Sequence, residues 1–268
     1  MPGVAFQPAD PVLAGRDLTL LRAATGAPGA ALKAWEQAVQ GAGETRLAEE
    51  APILMPSVYR NLSSIGAQAV SARLKGLYRY TWGRNQLVLH GLALDVQALG
   101  SRGVEARLGG DASMVCAYYG DAGARAIYRQ SIEVGDLTSA VTTLARTRWR
   151  QVSGGPGWAK LRNPNGSSGP SLWLLAARSP GERPADSPAS TEFEGRAFRV
   201  LGPSEQIIAA CSADPDGDEP PAVQCIMDLW VLGARPGIDW DWVRAEAAVG
   251  GLERKLDGLL DIVRSLKE

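Results

Sequence analysis

The sequence predicts an α+β chain with a small mixed-sheet core between two helical regions. Three observations point there. Apolar residues recur at helical spacing in the first and last thirds, a strand–helix–strand–helix alternation begins at Gly103, and Gly- and Pro-rich punctuation is confined to the middle. The implied organisation is a helical region over 1–100, the α/β core over 101–201 and a helical bundle over 202–268.

From Arg16 to Leu99 the pattern is helical, with Trp35 and Val39 one turn apart and Pro52 and Pro56 bracketing the start of a helix that carries Val58, Leu62 and Ile65. A helix over Asn85 to Gly100 follows from Leu89, Leu92, Val96 and Leu99, with Gly100 as its C-cap. Val104 to Leu108 reads as a strand running into Gly109-Gly110-Asp111, and Ala112 to Tyr119 as a helix. Ile127, Tyr128, Ile132 and Val134 give Ala126 to Val134 strong β-propensity, and Asp136 then caps a helix with Leu137, Val141 and Leu144. Ser153 to Pro170, rich in Gly, Pro, Asn and Ser, reads as an exposed loop or hairpin tip; Leu172 to Ala177 is a buried strand. Ser179 to Ser190 carries three prolines and reads as an excursion before strand-like Phe193 to Leu201. Helices are then expected from Pro203-Ser204, over Val223 to Leu232 and from Asp241 with Asp239 as N-cap, separated by the acidic turn Asp214 to Pro221. The leucines 252, 256, 259, 260 and 266 mark a final amphipathic helix.

Composition excludes several functions. The chain has 268 residues, 45% hydrophobic and 21% charged, which suffices for a sizeable core and is neither disordered nor fibrous. A net charge of −1 supplies no global field for nucleic acid or anionic lipid, so any such binding is local. Cys116, Cys211 and Cys225 are widely spaced and His90 is the one histidine, which is neither a disulfide framework nor a zinc site. Without a leader-like N-terminus or a spanning run, the expectation is a soluble, cytoplasmic protein with no membrane partner and no strong nucleic-acid signal. His90 lacks a nucleophile context and reads as a surface or packed imidazole. Gly154-Gly155-Pro156-Gly157 and Gly166-Ser167-Ser168-Gly169 read as turns, and Trp240 as a core residue.

Several segments in order resemble the uncharacterised nucleotidyltransferase family of the polymerase-β-like superfamily. They are Arg84-Asn85 opening a helix, Gly103-Val104 entering a strand, Leu108-Gly109-Gly110 at a Leu-Lys-Gly position, Arg125 ahead of an Asp-x-Asp strand, Val200-Leu201-Gly202-Pro203, Met227-Asp228-Leu229 and Ile238-Asp239-Trp240. The resemblance covers roughly 54–268. It implies a nucleotidyltransferase-like core in which two carboxylates on one strand face, with a third from a neighbouring strand, hold Mg²⁺ for transfer of NMP from an NTP. Aligning Arg125 and Val134 puts Arg129 and Ser131 at the two Asp positions and Gly109 at the lysine, while no acidic residue occurs from Gly154 through Gly181. A guanidinium about 4 Å from a unit cation repels it by about 4 kcal/mol at an effective dielectric near 20, twice that for a divalent ion.

The implied reading is a catalytically degenerate relative with no cofactor. It acts as a binding, scaffolding or regulatory module for a nucleotide, a phosphorylated ligand or a protein partner, through Gly109, Gly110, Arg107, Arg125 and Arg129. The competing reading is an active Mg²⁺-dependent transferase with Glu133 as a ligand, helped by Asp111 or Asp136. Both helpers are more simply read as helix caps.

Overall fold

A computed structural model describes residues 13, 15–66, 70–164, 171–179, 182–186, 189–213 and 220–267. The chain is α+β: helices flank a mixed sheet of seven described strands in the order β3-β4-β5-β2-β1-β7-β6. No described helix is long and apolar enough to cross a membrane.

Five helices come first: α1 (Gly15–Thr25), α2 (Pro28–Ala42), α3 (Glu44–Glu50), α4 (Met55–Ser64) and α5 (Ala72–Gly100). Helix α5 is longer than the periodicity implied. It starts where the Ser71 hydroxyl accepts from Leu74 N, so Arg84-Asn85 lies mid-helix instead of opening it. Nor is Gly100 a left-handed cap: the cap is Ser101 at φ −63, and the reversal comes at Gly103 with φ +70.

Strand β1 (Ala106–Gly109) leads into the short α6 (Gly110–Ser113), which widens into a π-helical segment, Met114–Tyr119. Strand β2 (Gln130–Val134) is shorter than its β-propensity predicted. The extended residues before it never join the ladder because side chains take their amides. Asn85 Oδ1 accepts from Ile127 N, and Asp111 Oδ2 accepts from Tyr128 N and Arg129 N.

Helix α7 (Leu137–Ala145) starts at Asp136, whose carboxylate accepts from Ser139 N. The Gly-rich stretch then makes a hairpin, β3 (Arg150–Gly155) and β4 (Trp158–Arg162), turning at Gly157 with φ +80; of the two forms expected there, a loop or a hairpin tip, the hairpin is the one formed, with its ladder running through Arg162. Gly166-Ser167-Ser168-Gly169 and Asp214–Glu219 lie outside the described residues. Strand β5 (Leu172–Ala176) runs parallel to β2 and antiparallel to β4. A second hairpin, β6 (Ala189–Phe193) and β7 (Arg196–Val200), places β7 parallel to β1. Helices α8 (Pro203–Cys211), α9 (Ala222–Leu232), α10 (Trp240–Val249) and α11 (Glu253–Ser265) complete the chain. Asp239 caps α10 by accepting from Trp242 N.

Two cores result. One joins α1–α4, the start of α5, the π segment and α8–α11. The other lies between the second half of α5, α7 and one face of the sheet. The N- and C-terminal helices thus bury one another, as an amphipathic face must. Trp240 is 36% exposed and is not the core residue expected.

Candidate functional site

The sheet face turned away from the second core carries the site. Along β2, Gln130, Ile132 and Val134 are buried, the last two in the core shared with α5 and α7, so the alternation turns Ser131 and Glu133 to the opposite side. Register then sets a row across four strands: Lys160 is opposite Trp173, Trp173 beside Ser131, and Ser131 opposite Gly109. Two adjoining hollows open over this row and share Arg129 and Trp173. The larger, about 350 Å³, is also lined by Tyr128, Lys160, Ser171 and Gln224; the smaller, about 120 Å³, by Gly109, Gly110, Ser131, Glu133 and Leu175.

The glycines are there for close approach. A Cβ at Gly109 would sit 2.7 Å from Ser131 Oγ, and one at Gly110 3.0 Å from it, with Gly110 also at φ +53. Ser131 therefore fills the turn that a larger residue at 109 would claim. Arg129 is part-exposed, donates Nη1–H to Ser212 O at 3.2 Å, and holds Nε 4.0 Å from Asp111 Oδ1.

The structure separates the arginines that sequence grouped together. Arg129 lines both hollows, whereas Arg107 and Arg125 are interior. Arg107 donates to Glu205 at 2.9 Å from two nitrogens and to Glu133 Oε2 at 2.5 Å. Arg125 is 2% exposed and clamps Asp228 with Nε and Nη2, both at 2.7 Å, while the same Nη2 reaches Asp111 Oδ1 at 2.8 Å. Tyr119 and Gln224 also donate to Asp228 Oδ1. Asp111 is accordingly not a helix cap; Gly109 is the N-cap of α6, and Asp111 is a buried acceptor for Arg125 and two backbone amides. Burial works against its charge, but the Arg125 guanidinium holds the carboxyl below the usual carboxylate range. Asp136 sits apart from the row, with its carboxylate on Ser139.

Glu133 is in the smaller hollow but is engaged. Burial pushes its pKa up against the pull of Arg107. His90 is exposed on α5, with Nδ1 3.1 Å from Glu194 Oε2 and away from the row.

A divalent cation needs several hard oxygen ligands. At the row's centre the side chains are a hydroxyl, an indole and an ammonium, with the Arg129 cation beside them. The two nearby carboxylates, Asp111 and Glu133, already serve Arg125 and Arg107. Among the described residues no group of three His, Cys, Asp or Glu side chains converges on a metal position. The residues present do not fit the magnesium site that the resemblance implies.

Sequence reasoning missed Trp173, Lys160 and Tyr128 as lining residues. Trp173 and Lys160 reach the row only through the β4–β5–β2 pairing. Lys160 Nζ stands 4.6 Å from the Trp173 ring centroid, and Trp158 packs on the same indole at 5.4 Å between centroids. Two neighbouring strands bearing Trp-x-Lys and Leu-Trp-Leu were a visible signal, but their mutual register was not.

No protein-family model matches this chain, nor does any curated protein. Among solved structures, it is similar to the crystal structure of an antigenic nucleotidyltransferase-like protein from Paracoccidioides brasiliensis. The two are 18% identical, with 68% of this chain and 93% of that chain covered and a TM-score of 0.41.

Proposed function

We propose that this chain is a metal-independent binding module built on a degenerate nucleotidyltransferase-like cleft, which takes a nucleotide or a related phosphorylated ligand. The observation that carries the reading is the in-register row Gly109–Ser131–Trp173–Lys160. Where the resemblance would have placed carboxylates beside a magnesium ion, this row offers a hydroxyl and an indole, flanked by Arg129 and Lys160. Such a set suits the ligand's anion directly. Guanidinium and ammonium groups donate charge-assisted hydrogen bonds to phosphate, while Trp173, 4% exposed beneath Lys160 and Trp158, forms the floor of the hollow. Tyr128, 42% exposed with the Arg84 guanidinium 5.3 Å from its ring centroid, supplies at the rim of the larger hollow the exposed ring that a planar base would meet.

In the competing reading, Glu133 would ligate Mg²⁺ in a working transferase. That would require Glu133 to break its ion pair with the buried Arg107, which would keep Glu205 as its remaining carboxylate partner.

The two readings separate in one titration. ATP is added to the purified protein in EDTA and, separately, in Mg²⁺, with heat of binding and pyrophosphate release both recorded. The expected result is binding that survives EDTA, weakens about tenfold or more in Arg129→Ala, and is accompanied by no release above background. Release that disappears in Glu133→Ala would establish the transferase instead.

A further inference from the structure

The cationic character of the cleft does not stop at its rim. Along β4, Trp158, Lys160 and Arg162 alternate with buried Ala159 and Leu161; because Lys160 lines the larger hollow, Trp158 and Arg162 lie on that same face. On the edge strand β3, Arg150 is the direct cross-strand partner of Arg162. Like charges directly opposed weaken a ladder, and among the described residues neither arginine makes an ion pair. Tracing the register inward, Leu161 pairs with Leu172, which sets Arg162 beside Ser171 at the end of the ladder; Arg129, just ahead of β2 and outside the ladder, lines the larger hollow together with Ser171. Arg150, Arg162 and Ser171 therefore form a second row beside the first, and Arg129 stands at its inner end, three strand spacings or about 14 Å from Arg150.

Resting on the phosphate-binding reading above, we infer that this second row extends the cleft, and that the face takes a single-stranded oligonucleotide. Its phosphates run along Arg129, Arg162 and Arg150, and its bases meet Trp158 and Tyr128. Charge selects the occupant. The whole chain has net charge −1, so there is no general attraction for polyanions, whereas Arg150 and Arg162 set two guanidiniums without an ion pair among the described residues beside the hollow that Arg129 lines. Aromatic rings beside that line favour a strand with exposed bases over a duplex, whose bases are already stacked. A mononucleotide held at Arg129 would leave Arg150 and Arg162 without a counter-charge.

The test measures anisotropy of a labelled homothymidine of about 12 nucleotides on the full chain across a KCl series, beside the ATP titration. The expected result is oligonucleotide binding at least about tenfold tighter than ATP. The double variant Arg150→Glu/Arg162→Glu should lose about tenfold or more of that affinity and reduce the salt slope by about 1–2, while ATP binding stays as in the parent. If ATP binds but the oligonucleotide binds no tighter, or the double variant binds it as the parent does, the extension is overturned and the cleft reading stands. Equal affinity for inorganic polyphosphate or for duplex of the same length also overturns it, since bases would then play no part. If neither ATP nor the oligonucleotide binds, both readings fall together.

Discussion

Arg125 shows how little a residue's type says about its role. Read from sequence, an arginine ahead of a β-rich stretch next to Gly-Gly is a phosphate ligand; in the folded chain it is fully interior and shared by two aspartates. What sequence could not supply was the arrival of Asp228 from α9, 103 residues away. Removing the guanidinium leaves the buried Asp228 without its counter-charge and Asp111 with the Arg129 guanidinium at 4.0 Å in its place. Arg125→Met is therefore expected to cost about 3–5 kcal/mol, read from the urea midpoint at constant m-value. Asp111 adds a pH dependence. Its folded pKa lies below the unfolded value, so its contribution is fully present above the unfolded pKa, near 4, and is lost as pH falls through the folded pKa. Acid titration of stability is expected to be shallower below about pH 4 in Asp111→Asn than in the parent. An identical acid limb in the two proteins would contradict that assignment.

At the scale of elements, the β1–α6 turn and β2 are one unit because Ser131 occupies the space over Gly109-Gly110. Gly109 has φ −121, which any residue adopts, so the objection to a side chain there is contact alone. Gly109→Ala should destabilise by about 1–3 kcal/mol, and Ser131→Ala, which removes the opposing oxygen, should recover much of that loss in the double variant. Additive effects in a denaturation cycle would mean the two positions do not touch. Elements with a strong period were legible: α9, α11, β5 and the Asp136 and Asp239 caps follow from apolar spacing and capping chemistry. Those governed by distant partners were not. Residues 126–129 have strand-like composition, yet Asn85 and Asp111 divert their amides. The Gly-Ser composition of β3 likewise resembles a loop, because an edge strand outside the core needs no apolar alternation. The site row was illegible for the same reason: Trp173 and Lys160 reach Ser131 only through pairings between strands distant in sequence.

For the whole molecule, the seam between the two cores is where stability and site geometry meet. Ala124 belongs to the helical core and Ile127 to the sheet core, with Arg125 between them; its ion pair to Asp228 ties α9 to the segment that presents Arg129. A charged link at such a seam makes each core's opening costly to the other, since parting them exposes an unsatisfied guanidinium in one and a carboxylate in the other. Native-state hydrogen exchange should therefore report similar opening free energies for Leu62 in the helical core and Ile132 in the sheet core of the parent protein. In Asp228→Asn the amide carries no charge to match Arg125, and Tyr119 and Gln224 lose their carboxylate acceptor. The two protections are then expected to separate by about 1 kcal/mol or more, and ligand affinity at Arg129 to fall even where the sheet core stays closed. If both amides lose protection equally and affinity is retained, the seam carries no coupling, and the two cores are joined by apolar packing around the π segment instead.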